Sequence, residues 1–183
     1  MSESFLIEDP IRVTVGTVGP VGQRLFVLQA RDASEIVTVK VEKIQVASLA
    51  TYLGRMLRQL ARPHELPAGE ALDLEPFDEP DFAAQSLALS YDEVGDRVVL
   101  MVEELNRSEM SAPDPAEEVL EEALVPDGSS ARLVMTREQA AALAIRATEL
   151  VEAGRPPCPL CGYPLDPRGH ACPRTNGHGA PLT

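Results

Sequence analysis

The chain has 183 residues, 44% of them hydrophobic and 25% charged, with a formal net charge of −13 at pH 7. This length fits one domain of ordinary size with an appendage, and a body of about 150 residues buries an adequate core without disulfides or metal. The acidic balance opposes non-specific attachment to phosphate backbones, the lack of an 18-residue apolar window excludes a helical membrane span, and three clustered cysteines argue against a secreted disulfide scaffold.

The first ten residues have neither a basic stretch nor a long apolar run, so they do not read as a signal peptide, and a reducing cytoplasm is the expected compartment. Ile11 to Val18 reads as a strand with Val13 and Val15 on one face. Gly19-Pro-Val-Gly22 supplies turn chemistry. Arg24 to Ala30 is a second strand, with Phe26, Leu28 and Ala30 on one face and Leu25 and Val27 on the other. Ile36 to Glu42 alternates: Val37, Val39 and Val41 inward, Thr38, Lys40 and Glu42 outward, the pattern of a half-buried strand.

The period then changes. Leu49, Leu53, Met56, Leu57 and Leu60 recur at steps of three and four and predict a helix over about Lys43–Ala61, ended by Pro63. Arg62 to Pro80 holds four prolines and six acidic residues and reads as a flexible loop. Phe82 to Tyr91 and Arg97 to Glu104 are predicted strands around a hairpin turn at Asp92–Asp96, with Gly95 available for positive φ. Asn106 to Ser130 is polar and acidic, with room for a short helix at Glu117–Leu124 or for disorder. After a short strand at Arg132–Met135, Thr136-Arg-Glu-Gln139 is a capping box. The helix it opens carries Leu143, Ala147, Leu150 and Val151 on one face. Gly154 suits its closing position and Pro156-Pro157 forbid continuation.

The tail from Arg155 has three arginines and one aspartate, whereas the rest has 13 basic and 28 acidic residues. It also holds all three cysteines and two of the three histidines. Cys158 and Cys161 are separated by two residues; after eight intervening residues comes His170, and two positions on, Cys172. Zinc favours four thiolate or imidazole ligands in a tetrahedron, and this spacing reads as one such site. Cys158-Pro-Leu-Cys161-Gly162 has the form of a knuckle, two thiolates on a tight turn. Four protein ligands close the shell, so the predicted zinc, one per chain, is structural.

Competing chemistries fit less well. A redox pair at Cys158 and Cys161 wants its first thiolate at a helix N-terminus, and Gly162 and Pro164 oppose a helix there. Pro157-Cys-Pro-Leu-Cys161 matches half of a zinc-deaminase signature, but the His-x-Glu half is missing; His64-Glu65 is adjacent, in a proline-rich loop. Gly16-Thr-Val-Gly19-Pro-Val-Gly22 has no phosphate-loop lysine and joins two strands, so it reads as a hairpin turn. Arg24, Arg31 and Lys40 read as solvent-face charges before a basic binding spot. Asp78, Glu79 and Asp81 read as an acidic loop before a cation site.

Gly22-Gln-Arg-Leu-Phe-Val-Leu-Gln-Ala-Arg31, Val41-Glu-Lys-Ile-Gln-Val-Ala47, Ala153-Gly-Arg-Pro-Pro-Cys-Pro-Leu-Cys-Gly162, Leu165-Asp-Pro167 and Gly169-His-Ala-Cys-Pro-Arg-Thr-Asn-Gly177 together resemble an actinobacterial family known as a domain of unknown function. The resemblance spans nearly the whole chain and is most specific in the tail. It implies positions matching Cys158, Cys161, His170 and Cys172, with tyrosine commonly standing at His178, which leaves His178 as a reserve ligand. It also implies company: the family co-occurs with a phosphoglycerate-mutase-like family and a lipid-kinase-like family.

The expected fold is therefore α+β: an antiparallel twisted sheet from two β-meander-plus-helix halves in a body over residues 1–154, followed by a zinc-knuckle tail over 155–183. The expected function is a non-enzymatic zinc-binding adaptor or regulatory protein with a protein partner and no membrane. A single-stranded nucleic-acid-binding protein is the alternative, which the acidic body opposes. An enzyme or accessory subunit of a phosphoryl-transfer pathway is a second, suggested by the family's company alone.

Overall fold

The computed structural model describes residues 3–20, 23–60, 72–104, 128–153, 158–162 and 172–175. Among them the chain forms strands β1 (Ser4–Ile7), β2 (Arg12–Val18), β3 (Leu25–Arg31) and β4 (Ile36–Val41), helix α1 (Lys43–Leu57), strands β5 (Phe82–Asp92), β6 (Arg97–Glu104) and β7 (Ser130–Met135), and helix α2 (Arg137–Glu152). A single 3₁₀ turn follows at Pro173–Thr175.

The strands make one seven-stranded sheet in the order β1-β7-β6-β5-β4-β3-β2. Each half is a meander followed by a helix, as the chain order predicts. Alternation places the apolar side chains in cross-strand rows. Val15, Leu28 and Val39 are paired across β2, β3 and β4. Leu89, Leu100, Leu133 and Ile7 are paired across β5, β6, β7 and β1.

The sheet is mixed, which corrects the expectation of a purely antiparallel one. β4 and β5 pair in parallel, Val39 with Phe82 and Lys40 with Ala83. The crossover through α1 is the cause: a helix between two adjacent strands returns the chain to the same end before it runs forward again. β1 is the second parallel element and was absent from the sequence reading. Its Phe5 and Ile7 face the core, and Ile7 is completely buried.

Both helices contribute to one apolar core on one face of the sheet. α1 presents Val46, Leu49 and Leu53, and α2 presents Ala140, Leu143, Ala144 and Ala147. Small residues let α2 sit close to α1 and reach β2 near one edge and β6 and β7 toward the other. The sheet coils around the helix pair, as right-handed strand twist favours. Phe5 on β1 consequently stacks on Phe82 of β5, three strands away, with ring centroids 6.2 Å apart. α2 begins as predicted: the Gln139 N–H donates to the Thr136 hydroxyl (3.2 Å) and the Thr136 N–H donates to Gln139 Oε1 (3.0 Å). Gly154, expected to close it, lies outside the described residues. α1 ends at Leu57, before the predicted Ala61, and Leu60 falls in a turn whose N–H donates to the Leu57 carbonyl.

The opposite face of β2, β3 and β4 carries Thr14, Gln29 and Thr38, and all three are buried. This corrects the expectation that Thr38 points to solvent. The segment after residue 71 lies across that face. Gln29 accepts from the Glu75 N–H (2.8 Å) and donates to the Glu75 carbonyl (3.2 Å) and the Thr38 hydroxyl (3.1 Å). The Thr14 hydroxyl donates to the Leu72 carbonyl, and Arg12 donates to that of Asp73 at 2.9 Å. Leu74 rests on Gly16, where an added Cβ would lie 2.5 Å from Leu74 Cδ1. Residues 62–71 of the predicted loop, and 105–127 of the second polar segment, lie outside the described residues.

Candidate metal centre

Past α2 the chain turns tightly between Cys158 and Gly162. The Gly162 N–H donates to the Cys158 carbonyl at 2.8 Å, closing a turn over Cys158–Gly162. Gly162 has φ +76°, a left-handed conformation that residues with a Cβ rarely adopt. The turn presents the Cys158 and Cys161 side chains to one point. Cys172, just before the 3₁₀ turn, brings its sulfur to the same place. The three sulfurs lie within 4.8 Å of one another, a group able to hold a metal ion. Tetrahedral Zn–S bonds of about 2.3 Å would set the sulfurs about 3.8 Å apart, which is within that limit.

Cys158 and Cys172 are buried and Cys161 is partly exposed; none is in a disulfide. Burial pushes the Cys158 thiol up. The Cys161 and Leu160 N–H groups and the Cys161 and Cys172 thiols, all hydrogen-bonding toward it, outweigh burial and hold it below the ordinary thiol range. A turn whose amides point at sulfur favours the thiolate form that a metal site uses.

His170 and the reserve ligand His178 lie outside the described residues, as does His64. Asp81, Arg31 and the Gly19-Pro20 turn, among the remaining sequence candidates, have structural roles. Asp81 accepts the Thr38 N–H at 2.7 Å while its own N–H donates to the Thr38 carbonyl, so it splices β4 to the start of β5. Arg31 is ion-paired to Glu75 at 2.6 Å. Gly19 and Pro20 form the β2–β3 turn, where the Gln23 N–H donates to the Pro20 carbonyl.

Fold and site together define a mixed α+β protein with a C-terminal cluster of three cysteines. Residues 5–172 match the family described as protein of unknown function (DUF3090), and the chain belongs to that family. The match runs from β1 to Cys172, so it includes all three clustered cysteines. Searches among curated proteins and among solved structures each returned no match.

Proposed function

We propose that Cys158, Cys161, His170 and Cys172 hold one structural zinc ion per chain, and that the protein is a non-enzymatic adaptor or regulatory protein that offers its zinc-ordered tail to a protein partner. The observation carrying this reading is the convergence of three thiols on one point, two of them buried. Thiolates select zinc over magnesium or calcium. His170, two residues before Cys172, supplies the fourth ligand. With four protein ligands no position is left for a catalytic water, so the metal acts on architecture. It joins residues 155–183, too short and proline-rich to make a core, to the end of α2.

Metal analysis of protein purified without added zinc tests the site. One zinc per chain is expected, lost in Cys158→Ser and Cys172→Ser and weakened in His170→Ala. Limited proteolysis should then cut the tail of the serine variants first. A metal-free protein with a protected tail would remove this reading. Affinity capture from the native host, run beside Cys158→Ser, tests the adaptor role: the partner is retained by the zinc-loaded chain and lost with the metal. Turnover in a phospho-substrate screen would replace the adaptor with an enzyme.

A further inference from the structure

Between α1 and β5 runs a groove of about 710 Å³, far from the cysteine cluster in sequence and unused by the function above. Its floor is apolar: Leu49 and Met56 from α1, Leu87 and Leu89 from β5. Its helix-side wall follows one ridge of α1, through Ile44, Ser48, Tyr52 and Arg55, at helical steps of three and four. Ile44 and Tyr52 are 75% and 57% exposed, an apolar rim beside the leucine stripe that forms the core. The volume is that of a small-molecule site. The groove is long, about 18 Å from Ile44 to Met56 at the helical rise, which suits a linear ligand over a compact one.

The far wall is preformed. β5 carries a bulge, since Ala84 pairs with Glu104 and Ser86 with Glu103, leaving Gln85 as the extra residue. The Gln45 amide donates to the Ala84 and Gln85 carbonyls at 3.1 and 3.2 Å, while its oxygen accepts the Glu42 N–H at 2.7 Å. This ties the bulge to the first turn of α1 and places Gln85 among the lining residues.

Charge indicates the ligand. The chain has 29 acidic residues, yet among the described residues none lines this groove, and Arg55 is its one charged side chain. Arg55 lies over the Tyr52 ring, 5.9 Å from its centroid, and makes no ion pair among the described residues. We propose that the α1–β5 groove binds an elongated amphiphile of the fatty-carboxylate class, its chain along Leu49, Met56, Leu87 and Leu89 and its carboxylate on Arg55.

The test is calorimetry on the full-length, metal-loaded chain with decanoate, decan-1-ol and decyltrimethylammonium below their aggregation concentrations. Decanoate is expected to saturate one site and to bind about tenfold more tightly than the other two, as one charge-assisted contact predicts. Arg55→Gln should weaken decanoate about tenfold and leave decan-1-ol unchanged. Ser48→Trp, at an exposed wall position, should abolish saturable binding with the circular dichroism spectrum and melting temperature intact. Equal binding of the three chains, no saturable binding, or decanoate affinity unmoved in either variant would overturn the proposal. So would concentration-dependent sedimentation that disappears in Ser48→Trp, because that would assign the groove to a second copy of the chain.

Discussion

Single side chains carry two conformational demands that the spacing of residues did not assign correctly. The β5–β6 turn was expected to use Gly95 at positive φ. Instead Asp96 takes φ +52°. Aspartate tolerates this region better than most residues, and its carboxylate is held on both sides. The Tyr91 hydroxyl donates to Asp96 Oδ1 at 2.6 Å, and Arg137 Nε lies 3.0 Å from the same oxygen. At Gly95 a Cβ would lie 2.5 Å from Asp92 Oδ2, so a side chain there would displace the Asp92 carboxylate. The Tyr91 hydrogen bond, assisted by the Arg137 charge against a burial effect of opposite sign, holds the Asp96 carboxyl below the ordinary carboxylate range. A group whose pKa is depressed on folding contributes stability above its unfolded value and loses it as pH falls through the folded one. Wild type should therefore melt above Asp96→Asn at pH 7, by a gap that holds down to about pH 5 and closes below about pH 4. Thermal melts across this range check it; a gap independent of pH would mean that the turn geometry, not the charge, is what Asn fails to supply.

At the scale of elements, the helix starts were legible and their tertiary use was not. Thr136 and Gln139 form the reciprocal cap that their spacing announces. The same Gln139 amide also donates to the Pro10 carbonyl, stitching α2 to the β1–β2 connection. Thr136→Ala should cost about 1 kcal/mol, seen as a lower urea midpoint with unchanged slope, and Thr136→Ser should recover most of it. An unaltered midpoint would show that the Gln139–Pro10 bond, not the cap, holds the helix end. Gln45 repeats the pattern at α1, serving the Glu42 N–H and the β5 bulge together. Local spacing revealed the first bond of Gln139, whose partner is three residues away; the equally local Glu42–Gln45 bond was not read, because glutamate is not a favoured N-cap residue. The second bond of each glutamine joins segments 39 or 129 residues apart and leaves no local trace.

For the whole molecule, the sheet is completed by the strand that sequence reading passed over. β1 has four residues, too few to show a convincing alternation, and its pairing partner Ser130 lies 126 positions from Ser4. Yet Ile7 is fully buried and extends the Leu89–Leu100–Leu133 row. Ile7→Ala should destabilise the chain by about 2–5 kcal/mol, the cost of a cavity in a packed core. A free N-terminal arm would show a change within about 0.5 kcal/mol. Chemical denaturation separates the two outcomes. On the same sheet, α1 and β5 line the groove between them.

What the sequence determined by itself is local: the alternation of β2 to β6, the 3.6-residue stripes of α1 and α2, the N-terminal cap of α2, and the Cys158-x-x-Cys161 turn. Those signals depend on neighbours within a few positions, where backbone geometry dictates which side chains share a face. The spacing of the cysteines also suggested that Cys172 lies near that turn, and the three sulfurs are close together. The tertiary structure decided the rest. It set the parallel join of the halves, the pairing of β1 and the burial of Thr14, Gln29 and Thr38 beneath residues 72–76. It also decided that Ile44, Tyr52 and Arg55 face a groove. Each of these depends on which distant surfaces are removed from water together, a choice made by loop closure and burial over the whole chain.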